Sequence, residues 1–198
     1  TTAGSAGAAA RPAERSGGDG GECLGPVREL RPPLQVGMVE PLDGAHTASL
    51  IYLHPFGAGL SPFLRHAESY ALNGIRIVLP QAPRVPVARL GDQPALSWYD
   101  VAPGPPAEPE AIADEGAFRD VEEQLVDVVD SEARALAAHG GAARLVLGGS
   151  GQGGAAALHT ALRLRRRIAG FVGVDAHLLD CSPCLGPCRL EVRLFFTD

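Results

Sequence analysis

Arg144-Leu-Val-Leu-Gly-Gly-Ser-Gly-Gln-Gly-Gly154 is the stretch that decides the fold. Residues 145–147 form a short apolar run typical of a buried strand, and the small residues after Gly153 favour a helix reaching about Arg166. A strand, a sharp turn and a helix in this order are the structural context of the pattern Gly-x-Ser-x-Gly, whose turn presents a nucleophilic serine. The sequence therefore predicts a strand–turn–helix unit here.

The serine of this turn stands one place earlier than the pattern requires. The frame Gly149–Gly153 puts Gly151 at the nucleophile position, whereas a frame centred on Ser150 ends in Gln152. Glycine tolerates the strained backbone of such a turn. Ser150 would occupy the last strand position, where alternation directs its hydroxyl away from the site of attack. Two interpretations stay open: Ser150 is a shifted nucleophile, or the turn carries none.

Composition excludes several classes of function. The 198 residues carry a net charge of −6, which argues against nucleic acid as a main partner. All 17 basic residues are arginine, so neither a Walker-type phosphate loop nor a lysine Schiff base is available. No apolar run approaches the ~20 residues of a membrane helix, so we predict no integral membrane segment.

Apolar runs alternate with helical patterns along the chain. The amphipathic stripe after Phe118 includes Val121, Leu125, Val128 and Leu136, with Glu132 as a polar exception. A second helix is expected to be capped by Ser61-Pro62. Residues 81–115 are rich in Pro and Gly and are expected to form a long loop. Strands are predicted at 50–53, 75–79, 145–147, 171–174 and 192–196.

This alternation predicts a three-layer α/β sandwich with a mostly parallel sheet. Ligands of such sheets bind beyond the carboxyl ends of the strands, where the turn at residues 149–153 and the loop at His54 both fall. Residues 1–26 lack large apolar side chains and are expected to be a disordered leader, with a degenerate transit segment as the alternative. Residues 27–198 would form the domain.

Four segments resemble one family in its own order. They are Ile51-Tyr-Leu-His-Pro-Phe-Gly57, Val78-Leu-Pro-Gln-Ala-Pro83, Ser97-Trp-Tyr-Asp100 and Arg144 to Ala161. They are similar to the Leu-His-Gly-Leu-Gly, Pro-x-Ala-Pro, Ser-Trp-Phe-Asp and Gly-Gly-Phe-Ser-Gln-Gly-Gly segments of acyl-protein thioesterases and small carboxylesterase/phospholipases of the α/β-hydrolase fold. The resemblance spans roughly residues 45–198.

The resemblance has three departures. The family has Phe-Ser where this chain has Ser150-Gly151, and Pro55 replaces the first glycine of the Leu-His-Gly segment. The family's aspartate loop and catalytic histidine would lie beyond Asp198, so the domain is expected to lack its C-terminal part.

The resemblance also implies the roles of individual residues. The oxyanion hole would be formed by the backbone N–H groups of Phe56 and Gln152, neither of which needs a particular side chain. His54 would shape the oxyanion loop, and Trp98 would pack under it. The glycines of the turn, Gly149, Gly151 and Gly153, would form the elbow.

Cys181, Cys184 and Cys188 lie close together with His177 upstream. Zinc sites usually join two ligand pairs across a longer loop, so a reduced loop or an adventitious disulfide is favoured over a metal site. We predict no metal and no cofactor, and cytoplasmic localisation, since nothing demands an oxidising compartment.

The resemblance implies a serine hydrolase of carboxylic esters or acyl thioesters, such as S-acylated proteins or lysolipids. One alternative is a pseudoenzyme that keeps the fold and binds acyl chains or a partner protein without turnover. Another is a truncated product without function.

Overall fold

The computed structural model describes residues 32–69, 71–102 and 111–179. Every element below belongs to the unit Pro33–Asp198. The predicted leader at 1–26, the predicted strand at 192–196 and the three clustered cysteines lie outside the described residues.

The elements of the described residues follow one another in a largely alternating order. The strands and helices are β1 (Val36–Val39), β2 (Ala48–Leu53), α1 (Leu60–Ser69), β3 (Ile75–Pro80), β4 (Arg84–Val87), β5 (Gln93–Leu96), α2 (Glu115–Ala135), β6 (Leu145–Ser150), α3 (Gly151–Arg163) and β7 (Gly170–Val174).

Five of the strands form one sheet in the order β1-β3-β2-β6-β7. The four strands from β3 to β7 run parallel, and β1 joins the edge antiparallel to β3. Leu53 pairs with Gly149, so β2 and β6 end together in the middle of the sheet. The mostly parallel sheet predicted from the sequence is confirmed.

Helices cover both faces of this sheet. Ile51 and Leu53 of β2 belong to a core with side chains of α2 and α3. The alternate residue Tyr52 packs with Ile77, Leu79 and Leu64 of α1 in a separate cluster. Because side chains alternate along a strand, the two clusters lie on opposite faces. The three-layer α/β arrangement is therefore confirmed.

The loop predicted over residues 81–115 is wrong in its first half. Strands β4 and β5 pair antiparallel, and a 3₁₀ turn at Ala88–Leu90 lies between them. The prolines Pro86 and Pro94 face each other in this two-stranded ribbon, where outward-facing positions need no N–H. Helix α1 also begins at Leu60, one residue before the predicted Ser61 cap.

Helix α2 buries a carboxylate that the apolar stripe did not explain. Glu132 is 5% exposed and accepts a hydrogen bond of 2.6 Å from the Ser49 hydroxyl, which lies 2.7 Å from His46 Nε2. Arg76 lies 3.6 Å from its second oxygen. Val129 is fully buried, whereas Val128 is only partly buried. Glu132 is thus part of the packed face, because its charge is paired.

We predict that Glu132→Gln lowers the free energy of unfolding by about 1–3 kcal/mol, since it removes the charged acceptor that Ser49 and Arg76 share. Asp127→Asn is the control, because Asp127 is an exposed carboxylate on the same helix. Urea denaturation of both variants measures the difference. Equal stability of the two variants would contradict the pairing.

Candidate active site

The turn from β6 into α3 has the backbone of a nucleophile elbow. Ser150 ends the strand, and Gly151 begins the helix with a φ of +51°. A Cβ built on Gly151 would point toward the loop after β2 and lie 3.8 Å from Pro55 Cβ, an ordinary contact distance. A side chain at this position therefore has room, although its positive φ is costly for residues other than glycine.

The start of α3 approaches the end of β2 more closely than any side chain would allow. A Cβ on Gly153 would lie 2.3 Å from the His54 carbonyl oxygen, and one on Gly149 would lie 2.7 Å from the Leu53 carbonyl oxygen. Both positions require glycine on steric grounds. This approach brings the turn directly beside the loop that carries Phe56.

Ser150 stands on the other face of β6. Alternation puts it on the same face as Val146, whereas Leu145, Leu147 and Gly149 face α3. It occupies the N-cap position of α3, but its side chain makes no capping hydrogen bond. No histidine or carboxylate of the described residues forms a hydrogen bond with its hydroxyl. Its role as a nucleophile stays a prediction.

His54 is a buried structural residue whose two ring nitrogens are both engaged. Its Nδ1 lies 2.8 Å from the Pro55 carbonyl oxygen, and its Nε2 lies 3.0 Å from the Ala82 N–H. The second contact makes Nε2 an acceptor, so Nδ1 carries the proton. Burial lowers the pKa of His54, although the Pro55 hydrogen bond acts in the opposite direction. The neutral ring thus fixes the loop after β2, which carries His54 to Gly57, to the residues that follow β3.

Trp98 supports the same loop through contacts with His54. Its indole N–H donates a hydrogen bond of 2.8 Å to the His54 carbonyl oxygen. Its ring centroid lies 5.1 Å from that of His54. Both side chains are only 1% exposed, so they act as one rigid support.

The side chain of Gln152 ties α3 to the Ser97–Asp100 segment. Its amide oxygen accepts from the backbone N–H of Trp98 at 3.0 Å, and its amide nitrogen donates to the Tyr99 carbonyl oxygen at 2.7 Å. It also donates to the Ser97 hydroxyl at 2.9 Å, and that hydroxyl donates to the Tyr99 carbonyl oxygen. The resemblance assigned Gln152 a role for its backbone N–H alone, and did not predict that its side chain would be buried and hydrogen-bonded. Its partners lie more than 50 residues away, so no local pattern predicts them.

The hairpin of β4 and β5 is fastened to the loop after β2. Gly57 N–H donates 2.9 Å to the Leu96 carbonyl oxygen. Both carboxylate oxygens of Asp100 accept from the Ala88 N–H, at 3.1 and 3.3 Å. The four segments that carried the resemblance therefore meet at the carboxyl ends of the central strands.

Two further features were sought in the described ranges. No group of three or more His, Cys, Asp or Glu side chains there could hold a metal ion. None of the helices described is both long and apolar enough to cross a membrane.

The fold and the turn together define a class. A mostly parallel sheet between helix layers, with a glycine-lined turn from a central strand into a helix, is the framework of the α/β hydrolases. A phospholipase/carboxylesterase family model matches residues 35–182, and the chain belongs to this family.

Named relatives agree with this assignment. Acyl-protein thioesterase 1 of Yarrowia lipolytica is 29% identical over 142 residues, which cover 70% of this chain and 60% of that protein. Acyl-protein thioesterase 2 of Zea mays superposes with a TM-score of 0.51 at 24% identity, covering 73% of this chain and 62% of that chain. A variant of SOBER1 from Arabidopsis thaliana gives 0.59 at 20% identity, covering 75% and 72%. The two superpositions show the fold alone. The chain spans 55–60% of the length of the curated relatives it matches.

We predict that Gln152→Ala lowers the free energy of unfolding by about 1–3 kcal/mol, because it leaves the backbone N–H of Trp98 buried without its acceptor and removes one of the two hydrogen bonds to the Tyr99 carbonyl oxygen. Thr160→Ala, also in buried α3, is the control, since the Thr160 hydroxyl bonds only to the carbonyl oxygen of Ala156 in the preceding turn. Chemical denaturation compares the two losses. A larger loss for Thr160→Ala would contradict the assigned role.

The lowered pKa of His54 predicts a pH dependence of stability. The unfolded histidine takes up its proton near pH 6.5, and the folded one only at a lower pH. The free energy of unfolding should therefore decrease as the pH falls from 6.5 toward the folded pKa. His54→Asn should show a shallower decrease in urea titrations between pH 7.5 and 5.5. The exposed His139→Asn gives the reference for losing one histidine, and an unchanged slope in His54→Asn would refute the prediction.

Proposed function

We propose that this chain is a hydrolase of carboxylic esters or acyl thioesters whose acyl group binds at the turn of Ser150 and Gly151. The observation that carries the proposal is the direct apposition of the α3 start to the loop of His54 and Phe56. The N–H of Gln152 is in the first turn of α3, where backbone donors lack intrahelical partners and the helix dipole favours negative charge. Together with the Phe56 N–H it would form an oxyanion hole.

The names of the curated relatives support the substrate class. Acyl-protein thioesterases act on acylated proteins, and the family description adds phospholipids and carboxylic esters. Their common chemistry is an acyl carbonyl joined to oxygen or sulfur. We therefore propose S-acylated proteins or lysolipids as substrates, with no cofactor, no nucleic acid partner and a cytoplasmic location.

A second function is favoured by one specific observation. Gly151 occupies the position whose Cβ points at the oxyanion loop, and glycine supplies no nucleophile there. His54, the histidine of the adjoining loop, has both nitrogens engaged and provides no base. We propose as the second function an acyl-binding protein without turnover, which needs only an apolar concave surface and backbone donors. The proposed donors, the N–H groups of Phe56 and Gln152, do not depend on a side chain at residue 151.

The two functions separate in one experiment. The chain is incubated with a fluorophosphonate probe, the modified residue is mapped, and hydrolysis of a palmitoyl thioester is followed alongside. Labelling at Ser150 with turnover that Ser150→Ala abolishes establishes the hydrolase with a shifted nucleophile. A palmitate-induced rise in melting temperature without labelling establishes acyl binding. Failure of labelling, turnover and palmitate binding rejects both.

We predict that Gly151→Ser folds but changes turnover by less than tenfold. The new side chain has room, and the positive φ should lower stability by about 1–3 kcal/mol. Activity stays low because His54 cannot act as the base, a role that contributes about 10²–10⁴-fold in catalysis. Steady-state hydrolysis and thermal denaturation measure both effects, with Gly44→Ser as the control for a positive φ in an open loop. A hundredfold gain in turnover would show that a base does serve this position.

A further inference from the structure

The 3₁₀ turn at Ala88–Leu90 carries a guanidinium group beside the oxyanion loop. Arg89 Cζ lies 4.1 Å from the centroid of the Phe56 ring. The Ala88–Asp100 bonds fix the turn, and the Gly57–Leu96 bond fixes the loop against the hairpin. The position of this charge is therefore set by the framework of the site.

Arg89 differs from the other arginines that the structure places near carboxylates. Arg76, Arg163 and Arg166 each lie within 3.1 Å of an acidic oxygen. Arg89 is exposed, and none of the described carboxylates pairs with it. The contact with the Phe56 ring uses the charge of the guanidinium and none of its N–H groups in a hydrogen bond. Because Arg89 is also exposed, its N–H donors are available to a ligand.

We propose that Arg89 binds the phosphate of a lysophospholipid whose acyl ester lies at the Ser150–Gly151 turn. This inference rests on the proposed acyl-binding function. The Cβ position of Gly151 lies 3.8 Å from Pro55 Cβ, and Arg89 lies over the ring of Phe56, so the turn and Arg89 contact two consecutive residues of the same short loop. The glycerol unit that joins an acyl ester to a phosphate would pass along this loop.

The surrounding charges favour a compact phosphate over an acidic protein. A guanidinium matches phosphate with two parallel hydrogen bonds. The whole chain carries a net charge of −6, and Asp92 stands on the same hairpin, so an extended acidic surface would be repelled. Leu90, next to Arg89, is 44% exposed and offers an apolar contact for the lipid.

The test compares two lipids that differ only in the phosphate. Isothermal titration of the full chain measures the Kd of 1-palmitoyl lysophosphatidic acid and of 1-palmitoylglycerol, both below their micelle concentrations. Arg89→Gln should weaken lysophosphatidic acid binding about tenfold and leave 1-palmitoylglycerol within twofold. Arg84→Gln is the matched control, since Arg84 is exposed on the same hairpin and donates only to the Pro94 carbonyl oxygen. It should change neither Kd.

Each other outcome has a defined meaning. Equal weakening of both lipids by Arg89→Gln, or equal effects of Arg84→Gln and Arg89→Gln, would overturn the phosphate contact while the acyl site stands. Full competition by inorganic phosphate at the lipid concentration would show a free-anion site instead. Arg89-dependent binding of a palmitoylated acidic peptide, without binding of lysophosphatidic acid, would assign the charge to protein substrates. Binding of neither lipid by the unmodified chain would defeat the proposed function itself.

Discussion

The close approach of α3 to the end of β2 is the constraint on which the rest of the site depends. Glycines at 149 and 153 let the helix start pass within contact distance of the Leu53 and His54 carbonyl groups. Any side chain at either position would push the helix away from the strand. That shift would separate the first-turn N–H groups of α3 from the Phe56 loop. The geometry of the site is therefore built from backbone, and the absence of side chains makes it possible.

Buried polar side chains fix this arrangement in one register. Unpaired, the amide of Gln152 and the imidazole of His54 would each cost several kcal/mol on burial. Paired with Trp98, Tyr99 and Ala82, they make any displacement of the helix, the loop or the Ser97–Asp100 segment expensive. Hydrophobic packing alone would tolerate small slips between these parts. The polar ties are specific, because each donor meets an acceptor at only one relative position.

The sequence predicts the central strands and the turn well, because their signals are local. The run Leu145–Leu147 is apolar and is followed directly by glycine, and the turn motif spans only a few residues. Strand β1 and the β4–β5 hairpin were missed because they are four residues long and contain Pro or Gly. Glu132 and Gln152 were misjudged for a different reason. Their partners, Ser49 and Trp98, are distant in sequence, so burial of a polar group cannot be inferred until the fold brings the partner to it.

Gly151 shows that the architecture of the turn and its chemistry are separable. A serine at a φ of +51° would carry backbone strain that the surrounding contacts must offset. Glycine adopts the same conformation without that cost, so the turn here is more stable than one bearing a nucleophile. The contacts that shape the site involve neighbouring glycines, His54, Trp98 and Gln152, and none of them touches a side chain at residue 151. The backbone arrangement around the turn can therefore persist whether or not a nucleophile stands there, and the ligand recognition that we propose would then depend on fixed groups around it, such as Arg89.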